Sequence, residues 1–209
     1  MSYPESLKNP HLKLLTAVLL LIVSLSGLTA FASAGGWTVN NLMDQLAAVK
    51  RAELEFTETR SSIFLTEEVS TRGMMNYRAP DFIEKLVTDP YSERILIDGD
   101  QIVVEQQNAK GNNKKRVFLL SNYEALNATI QGIRATLAGD ISQLQKSYRI
   151  KLEGDELAWE LILEPITEST RGLISMINLS GVSEQIRSIE MTEPNGDESK
   201  LTLVYKSIN

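Results

Sequence analysis

The side chains best placed to do chemistry in this sequence are carboxylates. Glu53, Glu55 and Glu58 recur within one segment, and Glu67 and Glu68 form an adjacent pair soon after. Two carboxyl groups can hydrolyse a polymer when one donates a proton to the leaving group and the other activates water. That work needs one carboxyl kept protonated by an apolar or like-charged surrounding, and nothing near these residues signals it. Alternation with apolar positions fits the wet side of a strand more simply. A basic run, Lys110, Lys114, Lys115 and Arg116 around Gly111, Asn112 and Asn113, has two readings: a dock for an acidic partner or anionic head groups, or a solvated hairpin loop. The sole histidine is His11 and there is no cysteine. Past His11 the chain therefore has no Ser-His-Asp or Cys-His nucleophile system and no zinc site of the usual ligands. The expectation is a protein that is not an enzyme, with no catalytic residues, no metal and no cofactor.

Lys8 and Lys13 precede an uncharged, leucine-rich stretch at residues 14–34 that ends in Ala32-Ser33-Ala34. A basic start, an apolar centre and a small-x-small end make residues 1–34 a secretory signal peptide cut after Ala34. An uncleaved anchor competes, because the stretch is long enough to span a bilayer. Ser24, Ser26, Gly27 and Thr29 dilute it, which favours cleavage. Residues 35–209 then form one exported domain, expected in the periplasm and expected to be monomeric. Removing Glu5, Lys8 and Lys13 takes the formal net charge from −6 to −7, which argues against nucleic acid as a partner. With no cysteine, this domain has neither disulfides nor a lipidated N-terminal thiol.

The elements that would position these residues are mostly strands. Val39, Leu42, Met43, Leu46 and Val49 recur at helical spacing, so residues 38–49 form an amphipathic helix capped by Thr38 or Asn40. From Ala52 the period becomes two. Strands are expected around residues 52–60, 63–65, 73–78, 85–87, 94–97, 101–106, 116–120, 148–152, 157–163, 189–191 and 201–205. Asp98-Gly99, Gly154-Asp155 and Asn195-Gly196-Asp197 mark hairpin turns, so the strands run antiparallel in a meander. A second helical region at 122–145 carries the stripe Tyr123, Leu126, Ile130, Ile133 and Leu137, then breaks at Gly139. Leu157, Trp159, Leu161 and Leu163 alternate with Glu156, Glu160 and Glu164, which gives a sheet with one apolar face. The two amphipathic helices are the available covers.

Two motif groups carry a resemblance. The first is Phe56-Thr57-Glu58-Thr59-Arg60, then Gly73-Met74-Met75-Asn76-Tyr77-Arg78-Ala79-Pro80, then the segment ending Ile97-Asp98-Gly99. The second is Ala138-Gly139-Asp140, Gly154, Trp159 and Leu163-Glu164-Pro165. In this order they resemble a divergent branch of the outer-membrane lipoprotein carrier (LolA-like) family over about residues 37–205. The resemblance implies an α+β, mainly β fold: a half-open antiparallel β-barrel, a curved sheet covered on its concave face by amphipathic helices. It also implies a carrier that takes lipoprotein acyl chains from an inner-membrane release complex to an outer-membrane acceptor. The family fastens its helical lid with an arginine directly before the proline. Here that position is Ala79 and the arginine is Arg78, one place earlier, so Arg78 and Arg60 are the candidate latch residues, with Arg72 a further substitute. A one-residue shift in a strand reverses the side chain's face.

The apolar positions Phe56, Met75, Tyr77, Ile95, Ile97, Ile102, Val104, Phe118, Leu120, Trp159 and Leu161 are candidates to line a lipid cavity; an ordinary packed core competes at each. Three functions follow. The first is a carrier shielding acyl chains of lipoproteins or another lipid-linked product, supplied by a release complex or exporter. The second is a non-transporting envelope module that docks a membrane-associated assembly, marked by a filled interior. The third is a hydrolase using Glu58, Glu67 and Glu68.

Overall fold

The computed structural model describes residues 36–62, 67–107 and 112–209. The leader at 1–34, the strand expected at 63–65, and Lys110 and Gly111 lie outside the described residues. No helix among the described residues is long and apolar enough to cross a membrane.

Thr38 caps the first helix, α1 (Val39–Ala48): its hydroxyl accepts from the Asn41 amide at 3.3 Å while Asn41 Oδ1 accepts from the Thr38 amide at 3.0 Å. This reciprocal pair satisfies two of the donors that a helix start leaves orphaned. Six strands follow: β1 (Arg51–Ser61), β2 (Val69–Arg78), β3 (Phe82–Asp89), β4 (Glu93–Asp98), β5 (Gln101–Gln107) and β6 (Asn113–Leu119). A 3₁₀ turn at Leu120–Asn122 leads into α2 (Glu124–Leu137) and the short α3 (Ile141–Leu144). The second half contains β7 (Tyr148–Asp155), β8 (Ala158–Pro165), α4 (Glu168–Arg171), β9 (Met176–Val182), β10 (Gln185–Thr192) and β11 (Glu198–Ile208).

The eleven strands among the described residues form one antiparallel sheet in the order β6-β5-β4-β3-β2-β1-β11-β10-β9-β8-β7. Two meanders are thus joined where β1 pairs with β11, Leu54 opposite Tyr205 and Phe56 opposite Leu203. The sheet curves without closing, and α1 and α2 cover its concave face. This is the half-open barrel that the sequence led us to expect. Burial along β1 alternates strictly: Ala52, Leu54, Phe56 and Glu58 are buried, while Glu53, Glu55 and Thr57 are exposed on the convex face.

The turns sit close to their expected places. Gly99 (φ +53°) and Gly196 (φ +86°) occupy hairpin tips in the left-handed region that glycine tolerates. At the third hairpin the tip is two residues later than expected. Asp155 pairs with Ala158, so Glu156 and Leu157 make the turn, and Asp155 Oδ1 accepts from both the Leu157 and Ala158 amides. Leu157 is consequently 74% exposed rather than on the apolar face. Strand β9 has no counterpart among the expected strands. Leu120, expected to end a strand, instead buries itself in the 3₁₀ turn.

Candidate functional site: an apolar cavity beneath two helices

The cavity follows from how the helices meet the sheet. Leu42, Met43 and Leu46 of α1 pack into a core with Trp159, Leu161, Leu163, Ile177 and Leu179 from the second meander. The middle of α2 packs at the other side, where Ile130 joins Ile102 and Leu120. Between these two filled regions a cavity of about 270 Å³ remains open. Interiors are normally packed as tightly as organic crystals, so an apolar opening of this size departs from the usual density.

Its walls come from both meanders. Met75 and Tyr77 of β2, Ile95 and Ile97 of β4, and Leu201, Leu203 and Tyr205 of β11 form the floor, while Leu46, Ile133 and Leu137 close it from the helices. Gly73 keeps β2 low beside them. A Cβ there would lie 1.8 Å from the Leu86 carbonyl oxygen on β3 and 3.1 Å from Phe56. The Tyr77 hydroxyl is buried with no hydrogen-bond partner among the described residues, and burial together with the nearby Asp81 raises its pKa.

Of the eleven positions singled out in the sequence, Met75, Tyr77, Ile95 and Ile97 line this cavity and the other seven do not. Ile102 and Leu120 pack with Ile130, and Val104 and Phe118 rest against that cluster. Leu161 is fully buried beneath α1. Trp159 lies in a slot over Gly181 and donates its indole N–H to the Ser183 carbonyl at 2.9 Å. Phe56 is buried in the main core, with the Lys85 ammonium 4.9 Å above its ring.

The charged positions divide in the same way. Tyr77 faces the cavity, so Arg78 projects from the opposite face, where its guanidinium lies 4.3 Å from the Phe82 ring centroid. Arg78 is exposed there. Arg72 pairs with Asp89 at 2.9 Å on the exposed surface. Another arginine ties α2 to the turn after Pro80: the buried Arg134 donates through Nη2 to the Asp81 carbonyl at 2.8 Å. Burial lowers its pKa against the pull of Asp81, Asp98 and Asp100. Arg134 lies four residues after Ile130, on the helix's apolar stripe, and that misplaced charge was the available signal.

Arg60 does border the cavity, as part of a cluster absent from the sequence reading. Glu58 accepts from Arg60 Nε at 3.1 Å, from Thr71 Oγ1 at 3.4 Å and from the Lys85 ammonium. Burial alone would raise the Glu58 pKa, but Lys85 and Arg60 outweigh it and hold the carboxyl below its ordinary value. A general acid needs the reverse shift. Glu67 and Glu68 are exposed, outside the cavity wall. Among the described residues no group of acidic side chains is arranged to hold a metal ion.

The comparisons with known proteins agree with this architecture. The family model described as outer membrane lipoprotein carrier protein LolA-like matches residues 31–207. No curated protein matches. Among solved structures, a LolA superfamily protein from Nitrosomonas europaea aligns at 11% identity and a TM-score of 0.39, over 80% of this chain and 91% of that one. The Pseudomonas aeruginosa MucA/MucB complex aligns at 12% identity and 0.41, over 82% and 55%. LprF from Mycobacterium bovis aligns at 9% and 0.33, over 81% and 91%. These structural likenesses are distant and carry no functional argument; the family match, over most of the chain, does. The chain belongs to the LolA-like outer membrane lipoprotein carrier family.

Proposed function

We propose that this protein is a periplasmic carrier that holds acyl chains of lipoproteins, or of another lipid-linked product, in the cavity during transfer from the inner to the outer membrane. The observation that carries this reading is the apolar cavity itself, enclosed by both meanders and both covering helices. Shielding an alkyl chain from water is worth about 0.8 kcal/mol per methylene, so a chain threaded there is held without any covalent step. The donor is an inner-membrane release complex or exporter, the recipient an outer-membrane acceptor, and the carrier a monomer exported by residues 1–34 with residues 35–209 as its working domain. The module reading calls for a filled interior and the hydrolase reading for a carboxyl held protonated; the open cavity and the ionised Glu58 favour neither.

Native mass spectrometry of the protein isolated from its periplasm tests this, together with displacement of a neutral fluorescent probe from the cavity. Co-purifying lipid or lipoprotein, and loss of probe signal on adding acyl chains, are expected. Protein that is always empty and a probe signal that no acyl compound reduces would overturn the assignment.

A further inference from the structure

The cavity wall is apolar apart from a few groups, and three of these form one cluster. Glu58 on β1, Lys85 on β3 and Arg60 on β1 all border the cavity. The cluster runs from interior to solvent: the side chains are 9% exposed at Glu58, 19% at Lys85 and 63% at Arg60. Lys85 reaches Glu58 across β2, which presents Gly73 rather than a side chain in the row of Phe56 and Val87. Glu184, in the turn between β9 and β10 and near Tyr205, is another acid at the wall.

The hydrogen-bonding capacity of the cluster is lopsided. The two Glu58 oxygens already accept from Lys85, Arg60 and Thr71. A lysine carries three N–H donors and an arginine five, and Glu58 takes one from each. Acceptors are therefore nearly used up while donors remain, and the three charges leave a surplus of one positive. A group that completes this cluster brings oxygen acceptors and negative charge. The cavity's size limits the rest of the ligand. An apolar cavity of 150 Å³ holds one benzene, so about 270 Å³ accommodates roughly ten carbon atoms by proportion, which is one alkyl chain and not two.

We propose that Lys85 and Arg60 form a head-group site, and that the resting cavity takes a single-chain amphiphile whose anionic head, a carboxylate or a phosphate, sits at this cluster. The proposal rests on the carrier reading above and adds the ligand's chain number and head charge. The phenyl face of Phe56 under Lys85 keeps the ammonium at the junction between the apolar wall and the polar head.

The test uses the whole protein, isolated from the envelope and delipidated, with a neutral naphthylamine probe in the cavity. Three twelve-carbon competitors compare head groups at one chain length below micelle formation: laurate, dodecyl phosphate and uncharged monolaurin. Laurate and dodecyl phosphate should displace the probe at about tenfold lower concentration than monolaurin, the advantage of a charge-assisted over a neutral hydrogen bond. Arg60→Gln should reduce that ratio to about threefold or less, and Glu58→Gln should raise it by freeing donors. Each ratio is taken within one variant, so partial misfolding cancels. Equal displacement by all three competitors in the wild type, or ratios that ignore both substitutions, overturns the head-group site while leaving the carrier reading intact. Failure of all three to displace the probe overturns both. A stronger effect of laurate assigns the head as a carboxylate, and a stronger effect of dodecyl phosphate assigns it as a phosphate.

Discussion

Gly181→Ala is the perturbation whose cost the structure specifies most closely. Gly181 lies on β9 opposite Trp159 on β8. A Cβ there would come 2.2 Å from the Gln185 carbonyl oxygen, 2.3 Å from Trp159 Cζ2 and 2.8 Å from Trp159 Cε2. The carbonyl belongs to backbone, and the indole is pinned by its bond to Ser183, so neither yields easily. Overpacking of this kind costs about 1–3 kcal/mol, and pulling the indole from its acceptor adds about 1 kcal/mol. The total, about 2–4 kcal/mol, corresponds to a fall in Tm of roughly 5–15 °C for a domain of this size. Urea melts followed by tryptophan emission would measure it, in a Trp37→Phe background so that Trp159 reports alone. Pairing Gly181→Ala with Trp159→Phe should recover part of the loss, because the smaller ring vacates the contested space; the coupling should exceed about 0.5 kcal/mol. A melting curve within about 1 °C of the parent, with Trp159 emission unmoved, would refute the close-packed slot and the account of why Trp159 is not a cavity residue.

Three further outcomes are expected. Ile133→Trp places an indole in the cavity from α2 and should weaken probe binding at least about tenfold while changing the melting temperature little, since the space is already empty; binding at parental strength would show that the ligand lies elsewhere. Glu58 has its folded pKa below the ordinary 4.5, so its contribution to stability is present above that value and is lost as pH falls through the folded pKa. Acid unfolding monitored by circular dichroism should therefore be shallower below about pH 4.5 in Glu58→Gln than in the parent, and parallel acid limbs would contradict the pairing with Lys85 and Arg60. Thr38→Ala removes the capping box on α1 and should cost about 1 kcal/mol, readable as a shift of the denaturant midpoint at constant slope.

The sequence conveyed the architecture because its periods are clean. Strict alternation from Ala52 to Glu58 and the glycines at 99 and 196 place strands and turns with little competition. The site was less legible because facing inward is not the same as facing a void. Trp159 and Met75 both point to the concave side, yet one is buried under a packed slot and the other borders the cavity. The difference depends on which residues of the distant α1, α2 and β9 stand opposite, and local spacing carries no record of them. Strand β9 escaped notice for a related reason. Asn178, Ser180 and Gly181 interrupt its apolar run, but Asn178 is held by Glu160 across the sheet and Gly181 makes room for Trp159. The polar link Glu58–Lys85 spans 27 residues and an intervening strand, whereas the arginine at 134 was visible as a charge on an apolar stripe and was passed over.

The pairing of β1 with β11 in the middle of the sheet also governs how the molecule is assembled in time. Every other strand neighbour is its immediate predecessor or successor in sequence, so each meander can form from local hairpins. The seam instead joins Ser61 to Glu198, and closing it from an unfolded chain involves roughly five more doublings of loop length than a hairpin does, about 3 kcal/mol of entropy. Pairings of such long sequence separation form late and slowly. The cavity floor straddles this seam, with Met75 and Tyr77 on one side and Leu201, Leu203 and Tyr205 on the other. Until β11 has been delivered, the floor lacks one of its two halves; the cavity is therefore among the last parts of the fold to come into existence.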